Sequence, residues 1–544
     1  MEKIKDNVAN IEYDYVIIGT GAGGSVLADR LSVNGKYKIL ILEAGGSDGD
    51  FMHVVPKGFY FTMQNKKYTK HYKTEAFGEN TVETWQRGWI TGGSTTINGM
   101  VWNRGWATTY DAWEQAGNKG WNFNKFVEAW KQIENNELGP TEFRGGNGPV
   151  KLEIAKADNS LSKTFIKAAE KAGIPFVEDM NSTGEDRIAI VMSNIRNGFR
   201  RSASKTFLET ARKRSNVTII NHAEVLKVLI ENGRAVGVAY MHNGALKQQR
   251  INKEVLVCGG TLESPLILER SGIGRRDVLE AAGIEVIVES PRVGENLSEH
   301  RGIMLQFKFN GRVGFNHEIN TPLRQLWAGF KYLLNRKGVI SFGGYDVLGM
   351  FRSDPDSKEV DTQLFFTPVS TAGSNPLTGE MVVDKFSGAM AIAYPVNPTS
   401  RGSIHISGPN LTDTPKIVPN YLTTEHDRDL VLKITRKLRA LIASDEMKAL
   451  GAVEIQPGLD KISTDEEIIN YSINHGASGY HTLGTCRIGP NQEDVVDDRL
   501  RVRGVTGLRV VDASVFPAQP SGNNNAPTQA AAWIAAGMIL EDAN

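Results

Sequence analysis

At 544 residues the chain is too long for one ordinary core, so two domains sharing an interface are expected. Hydrophobic residues at 40% and charged residues at 23% exclude a disordered chain, and 62 basic against 62 acidic side chains leave no net field to recruit nucleic acid or an anionic membrane. Two cysteines, Cys258 and Cys486, exclude a disulfide framework and a cysteine-rich zinc site, and no metal is expected.

Met1-Glu2-Lys3-Ile4-Lys5-Asp6 is polar and carries no apolar signal core. No run approaches the ~18 apolar residues of a membrane span, so a soluble, cytoplasmic protein is expected. Tyr13 to Ile18 is a short β-rich apolar run, which predicts a buried parallel strand. Gly19-Thr20-Gly21-Ala22-Gly23-Gly24 follows and fits G-x-G-x-x-G; Ser25 to Leu31 then reads as a helix. A second strand, Tyr37 to Leu42, ends at Glu43, 19 residues past Gly24. Gly19 permits the tight turn, Gly21 lets a pyrophosphate approach the backbone, and Gly24 lets helix and strand pack closely. The helix N-terminus offers unpaired N–H groups to the phosphate, and Glu43 stands where a ribose-binding acid belongs. The pattern predicts a bound dinucleotide and leaves NAD and FAD both open.

Residues 51–80 are polar and aromatic and read as a lid. Residues 87–105 hold a second glycine cluster, where small residues let backbone run close to something flat or large. Val225 to Ile230 and Ala235 to Tyr240 flank Asn232-Gly233, a hairpin signal that predicts meander strands inserted in the nucleotide domain. Glu254 to Cys258 is a further strand. After the turn Gly259 to Glu263, Ser264 as N-cap and Pro265 at the first helical position are expected to open a helix that runs to Arg270. Beyond it, Met304 to Phe309, Asp361 to Phe366, Ala389 to Tyr394 and Gly402 to Ser407 read as strands of one sheet, and a helix starts at His426. Phe342, Tyr345, Phe351, Phe365 and Phe366 are core candidates that also suit a pocket wall. Gln529 to Leu540 is Ala-rich and helical, with Pro527 at its start.

Taken in order, these motifs resemble those of the glucose–methanol–choline (GMC) oxidoreductases, which bind FAD. The family's first motif is matched at Gly92-Gly93-Ser94-Thr95 with Ile97 and Asn98. Its second runs from Gly260 through Ser264-Pro265 to Ser271-Gly272-Ile273-Gly274. Gly294-Glu295-Asn296-Leu297 with His300, Pro398 to Gly402, and Val511-Asp512-Ala513-Ser514 also match, so the resemblance spans residues 13 to 540. Trp89, Thr91, Thr482, Trp533 and Ile534 depart from the family pattern.

The resemblance implies an α/β protein, with a Rossmann-like FAD-binding domain and a second α+β substrate domain built on an antiparallel sheet. The expected layout assigns 11–160, 200–308 and 475–544 to FAD binding, and 161–199 and 309–474 to substrate. It implies FAD contacts from Gly19, Thr20, Gly21, Ala22, Gly24, Glu43, Ala44, Gly92, Gly93, Ser94, Asn98, Gly99, Val101, Val225, Asp512, Ala513, Asn525 and Pro527. Non-covalent FAD is expected because residues 81–106 contain no histidine, Ile97 filling the position where some family members carry the tethering one. His481 is implied as the base that takes the hydroxyl proton of an alcohol, with Asn525, ahead of Asn523 and Asn524, on the same oxygen while hydride moves to flavin N5. The partners implied are a small alcohol and O2 or another electron acceptor. The alternative is a lyase that cleaves cyanohydrins and keeps FAD as an idle ligand. An NAD-linked dehydrogenase rests on the first glycine motif alone.

Overall fold

Tyr13–Ile18 and Ile39–Leu42 are buried almost throughout because both faces of their sheet are covered, which is why they read as continuous apolar runs. The computed structural model that shows this describes residues 12–155, 159–182, 185–374 and 381–543; the polar segment Met1–Asp6 lies outside them. The second strand begins at Ile39, two residues later than the apolar run suggests. Around these strands runs a seven-stranded sheet ordered 217–220, 39–42, 13–18, 245–257, 234–242, 223–231, with 508–510 paired to 245–257. The pairings of 13–18, 39–42, 217–220 and 508–510 are parallel, and the other three strands, 223–231, 234–242 and 245–257, form the expected antiparallel meander. Ala245–Val257 serves both halves: its first residues pair with the meander, its last with Tyr13–Ile18 and Leu508–Val510. Asn232 and Gly233 both have positive φ, 49° and 73°, the geometry that Asn-Gly supplies at a tight hairpin turn.

The helix expected from Ser264 starts earlier, at Gly260, and Pro265 lies inside it. Asp512 replaces the local cap, accepting from Gly260 N at 2.8 Å and from Ser264 Oγ at 2.6 Å. Pro265 has no N–H for the carbonyl of Thr261 four residues back, and the Thr485 hydroxyl donates to that carbonyl instead at 2.7 Å. A tertiary contact thus satisfies what the sequence signal assigned to a helix start.

The second sheet is antiparallel, ordered 453–456, 301–309, 387–395, 362–367, 347–351, 187–190. Arg301–Phe309, most of which the sequence layout assigned to FAD binding, pairs within this sheet: its later residues with 387–395 and 453–456, its first two with 477–478. Ser403–His405 is a correction too. It pairs with Lys416–Val418 in a separate ribbon, and Gly402 lies so close there that a Cβ would sit 2.0 Å from the Val418 carbonyl. Alternation along the central strands decides what each face touches. Leu364, Phe366, Ala391 and Ala393 pack with Leu430, Ile434 and Leu438 of the helix Glu425–Ile442. Phe365 and Tyr394, one residue over, join the core of the first sheet. Phe366 stacks on Phe165 at 4.1 Å and 4°, a pairing worth about 0.5–1.5 kcal/mol beyond burial. Phe351 and Phe366 are therefore core, and Phe365 looks toward the first domain.

Glu269 near the end of the helix Gly260–Arg270 ties the first domain to the ribbon. It is fully buried, its Oε1 lies 2.6 Å from His405 Nδ1, and its Oε2 accepts from Ile406 N at 2.8 Å. His405 Nε2 faces Glu295 at 3.2 Å. Burial alone would lower the imidazole's pKa, but the two carboxylates override it and hold it up at about 9. Because the folded value exceeds the unfolded one, the stabilisation is complete below an unfolded pKa of about 6.5 and is lost as pH rises through about 9. The thermal midpoint should therefore fall by several degrees across that window, and His405→Gln should start lower and lose this part of the slope; equal slopes in differential scanning calorimetry would refute the tie.

Candidate active site

Ala477–Ser478 pairs antiparallel with Arg301–Gly302, and the Ser298–Leu483 bridge continues that alignment. This brings His300 and His481 side by side although 181 residues separate them. Their Nδ1 atoms are 3.0 Å apart, and both side chains are buried. The second ring nitrogen of His300 lies 3.4 Å from the carbonyl of Val396. A backbone carbonyl only accepts, so His300 Nε2 carries a proton and donates.

That fixes the rest of a chain. Burial pushes His300 down to about 3 and His481 well below the ordinary histidine value, so both rings are neutral at pH 7. Neutral His300 with its proton on Nε2 presents a lone pair at Nδ1, and His481 donates to it from its own Nδ1. His481 Nε2 is then left with a lone pair, which accepts from Asn523 Nδ2 at 2.8 Å. Asn523 Oδ1 accepts from Gln363 Nε2 at 3.1 Å, and Gln363 Oε1 accepts from the Tyr394 hydroxyl at 2.7 Å. Glu299 anchors the pair from behind: its Oε1 accepts from the backbone N of His300 at 2.9 Å and of His481 at 2.8 Å. Burial raises Glu299 to about 7 despite Arg87 at 3.9 Å. The Arg87 guanidinium also donates to the Thr482 hydroxyl at 2.8 Å, which gives that departure from the family pattern a partner. Trp533, another departure, stacks under Arg30 at 4.1 Å.

A run of aromatic rings continues from the histidine pair. Tyr394 stacks on His300 at 4.6 Å, Phe365 lies 6.2 Å from Tyr394, and Tyr345 stacks on Phe365 at 4.3 Å. Tyr345 in turn faces Gly99, whose Cβ, were there one, would meet it at 3.4 Å.

The two glycine clusters converge on one place. Thr20 gives its N–H at 2.9 Å and its hydroxyl to Glu43 Oε2, and the same hydroxyl accepts from Gly92 N at 2.9 Å. A Cβ on Gly93 would stand 3.1 Å from Gly21 Cα, one on Gly24 would strike the Gly19 carbonyl, and one on Gly21 meets nothing within 4 Å. Gly21 is also the N-cap of Ala22–Ser32, with no side chain capping it. The opening beside Gly21 and the uncapped N–H groups fit a dinucleotide pyrophosphate. Glu43, buried and with its pKa raised by burial, accepts three protein donors including Gly45 N at 2.8 Å, and a carboxylate has room for a fourth, such as a ribose hydroxyl. Ala44 follows it at the same turn, and Ala223 N donates to the Glu43 carbonyl, which starts the strand carrying Val225 there.

Other expected cofactor residues have structural duties as well. Ser94 Oγ accepts from Gly88 N at 3.0 Å, Asn98 Oδ1 accepts from Arg200 at 2.8 Å, and Val101 bridges to Ser193. Asp512 abuts the first helix, where a Cβ on Gly23 would strike the Val511 carbonyl, and Ala513 opens the short turn after it. Pro527 lies in the first turn of Asn525–Asp542, whose N-terminus again lacks a side-chain cap. Asn525 is the correction: the structure seats Asn523 on His481. Asn525 is the first helical residue, so its side chain lies along its own helix and accepts from Gln529 at 3.0 Å, whereas Asn523 precedes the helix and its amide reaches His481 and Gln363. Among the described residues Asn525 Nδ2 is buried with no partner, a donor available to a bound group. Cys258 and Cys486 are buried with thiols pushed well up, which disfavours the reactive thiolate.

The sequence reading gave no role to His300, Glu299, Gln363 or Tyr394. The available signal was a polar Gln363 and a Tyr394 tip within otherwise apolar strands; they are register partners across the sheet.

A GMC oxidoreductase family model matches residues 13–301, and a second, for the C-terminal part of the same family, matches 398–532. The chain is 36% identical over 534 residues to an oxygen-dependent choline dehydrogenase of Vibrio vulnificus, covering 97% of this chain and 94% of that one. It is 34% identical over 542 residues to the human mitochondrial choline dehydrogenase, covering 97% and 90%. Among solved structures, pyridoxine 4-oxidase from Mesorbium loti superposes with a TM-score of 0.84 at 28% identity, covering 97% of this chain and 99% of that one. A formate oxidase superposes with a TM-score of 0.89 at 23% identity over 98% of both, a likeness of fold.

The proton order along the histidine pair is measurable. Nitrogen-15 shifts of labelled histidine should show His481 neutral and locked with its proton on Nδ1 at pH 6.5, and His300→Phe, which removes the acceptor, should release it into a mixture of tautomers. A His481 that is charged at pH 6.5, or locked in both proteins, contradicts the order.

Proposed function

The chain belongs to the GMC oxidoreductase family of FAD-dependent enzymes acting on CH–OH donors, and we propose that it oxidises a primary or secondary alcohol to the aldehyde or ketone with His481 Nε2 as the base. The observation that carries this is the lone pair on His481 Nε2, left outward by a neutral neighbour and met by Asn523 at 2.8 Å. Gly21, Glu43, the uncapped helix at Ala22 and the unpartnered Asn525 amide are the groups that would hold FAD. Bound FAD supplies the chemistry of accepting the hydride and its electron pair from the carbinol carbon.

The residues of the chain handle the proton and the oxygen. An alcohol hydroxyl donates to His481 Nε2, and Asn523 Nδ2, displaced from that lone pair, donates to the alcohol oxygen. The hydroxyl proton passes to Nε2 as the C–H bond breaks. Holding the ring neutral by burial keeps the base unprotonated at working pH, which matters because a general base contributes roughly 10²–10⁴ in rate only in its free form. His300 stays neutral while His481 carries the charge, so the step brings no second cation into the site. Glu299 fixes both backbones, and Gln363 and Tyr394 hold the Asn523 amide in the orientation that donates. This is positioning, whose share of the rate rivals that of the acid–base step.

The choline dehydrogenases among the relatives place choline first in a substrate panel. An aromatic wall of Tyr345, Phe365 and Tyr394 suits a quaternary ammonium or an apolar alcohol body.

The test is anaerobic addition of choline and of aliphatic, aromatic and sugar alcohols to the yellow protein. One class should bleach the flavin bands, with O2 restoring them rapidly in an oxidase and slowly in a dehydrogenase. His481→Ala should slow bleaching by roughly 10²–10⁴ with FAD retained, and Asn523→Ala by more than Asn525→Ala. Bleaching at full rate in His481→Ala would remove it as the base, and failure of every alcohol would return the cyanohydrin-lyase chemistry. Separately, acid precipitation should leave the protein colourless and FAD in solution; colour held by the pellet would mean a covalent link.

A further inference from the structure

The helix Pro322–Asn335 is apolar on the side away from the core. At 100° per residue, Leu323, Leu326, Trp327, Phe330 and Leu334 share one stripe with Leu333 at its edge, and Ala328 and Tyr332 lie opposite. Ala328 and Tyr332 are the buried pair, and the six apolar side chains face solvent, Leu323 79% and Leu326 71% exposed. The attachment is firm: the Tyr332 hydroxyl donates to the Gly198 carbonyl at 2.8 Å, and Arg336 lies over the rings of Phe199 and Tyr332. A patch of this kind marks an interaction surface.

Charge identifies what covers it. Arg324, Lys331, Arg336 and Lys337 flank the stripe, and no acidic residue occurs between Glu318 and Asp346. None of the four cations forms an ion pair among the described residues: Arg324 donates to the Asn320 amide at 2.7 Å, and Lys331 lies over Trp327 at 5.7 Å. A second copy meeting this face about a two-fold axis would set like charges against each other. No helix among the described residues is long and apolar enough to cross a membrane. Tryptophan, phenylalanine and leucine on one face with unpaired cations beside them are the composition of a helix that lies in an interface.

We propose that Pro322–Asn335 docks the protein on an anionic phospholipid bilayer, with its leucine and aromatic stripe at the acyl boundary and Arg324, Lys331 and Lys337 at the headgroup phosphates. From this helix the chain runs through Val339 and Phe342, which pack with Ala328 on its buried side, to Tyr345, where the aromatic run begins.

The test is co-sedimentation of the full-length, FAD-loaded protein with sucrose-filled vesicles. The protein should pellet with mixed phosphatidylcholine–phosphatidylglycerol vesicles, remain in solution with phosphatidylcholine alone, and be released by added salt. Leu326→Glu/Phe330→Glu and Arg324→Gln/Lys331→Gln should each lower partition by roughly tenfold or more, with circular dichroism and flavin spectrum unchanged. Three results would overturn the proposal: wild-type protein that stays in solution with the mixed vesicles, an apolar-stripe variant that pellets like wild type, or light scattering that shows a wild-type dimer dissociated by Leu326→Glu/Phe330→Glu.

Discussion

The carbonyl of Val396 is the one group in the site that has no choice. It accepts a hydrogen bond and never donates one, and every proton between it and Tyr394 follows from that restriction: His300 Nε2–H, His481 Nδ1–H, the Asn523 amide and the Gln363 amide. Burial excludes the escape of charging a ring, since an imidazolium would lose its hydration and no carboxylate among the described residues is hydrogen-bonded to either ring. A base whose lone pair points the right way is therefore a property of the scaffold, present before any substrate arrives. The contrast with His405 is instructive. That imidazole is also largely buried, but both its nitrogens face carboxylates, and it is held charged. One residue type gives a base in one place and a cationic clamp in the other, and the partner on each ring nitrogen decides which.

The site exists because two sheets present opposite faces to one gap. Alternation sends Phe366 and Leu364 to the helices behind the second sheet and leaves Gln363 and Phe365 facing the first domain. The Thr20 hydroxyl joins the two glycine clusters, with Glu43 on one side and Gly92 on the other, and leaves Gly21 bare. Bare backbone suits phosphates, and aromatic and imidazole rings suit the reacting end; His481 and Asn523 come from the C-terminal segment, and Gln363 and Tyr394 meet them from the second sheet.

Much of this was legible in the sequence where backbone geometry dictates residue type. Gly19, Gly21 and Gly24 are each demanded by a turn, an opening or a contact, and Asn232-Gly233 by two successive positive φ angles. Legibility failed where tertiary partners replace local ones. Ser264-Pro265 reads as a helix start because Asp512 and Thr485, some 220 to 250 residues away, do the capping and fill the gap left by proline. Asn523, Asn524 and Asn525 look alike in the chain; the first turn of the last helix separates them. Gln363 meets Tyr394 through strand register, which no single segment encodes. A net charge of zero likewise hid the cations gathered around Pro322–Asn335.

The parallel sheet has a consequence for how the molecule is made. Leu508–Val510 completes the pairing of Ala245–Val257, and Ala22–Ser32 packs against both Val511 and the helix Asn525–Asp542. The first domain thus closes on segments about 500 residues apart, a separation that slows folding because long loops must close before the contacts reward them. A ribosome releasing the chain in order exposes Tyr13–Ile18 and the open turn at Gly21 long before their partners emerge, so the dinucleotide site is finished last although its signature is translated first.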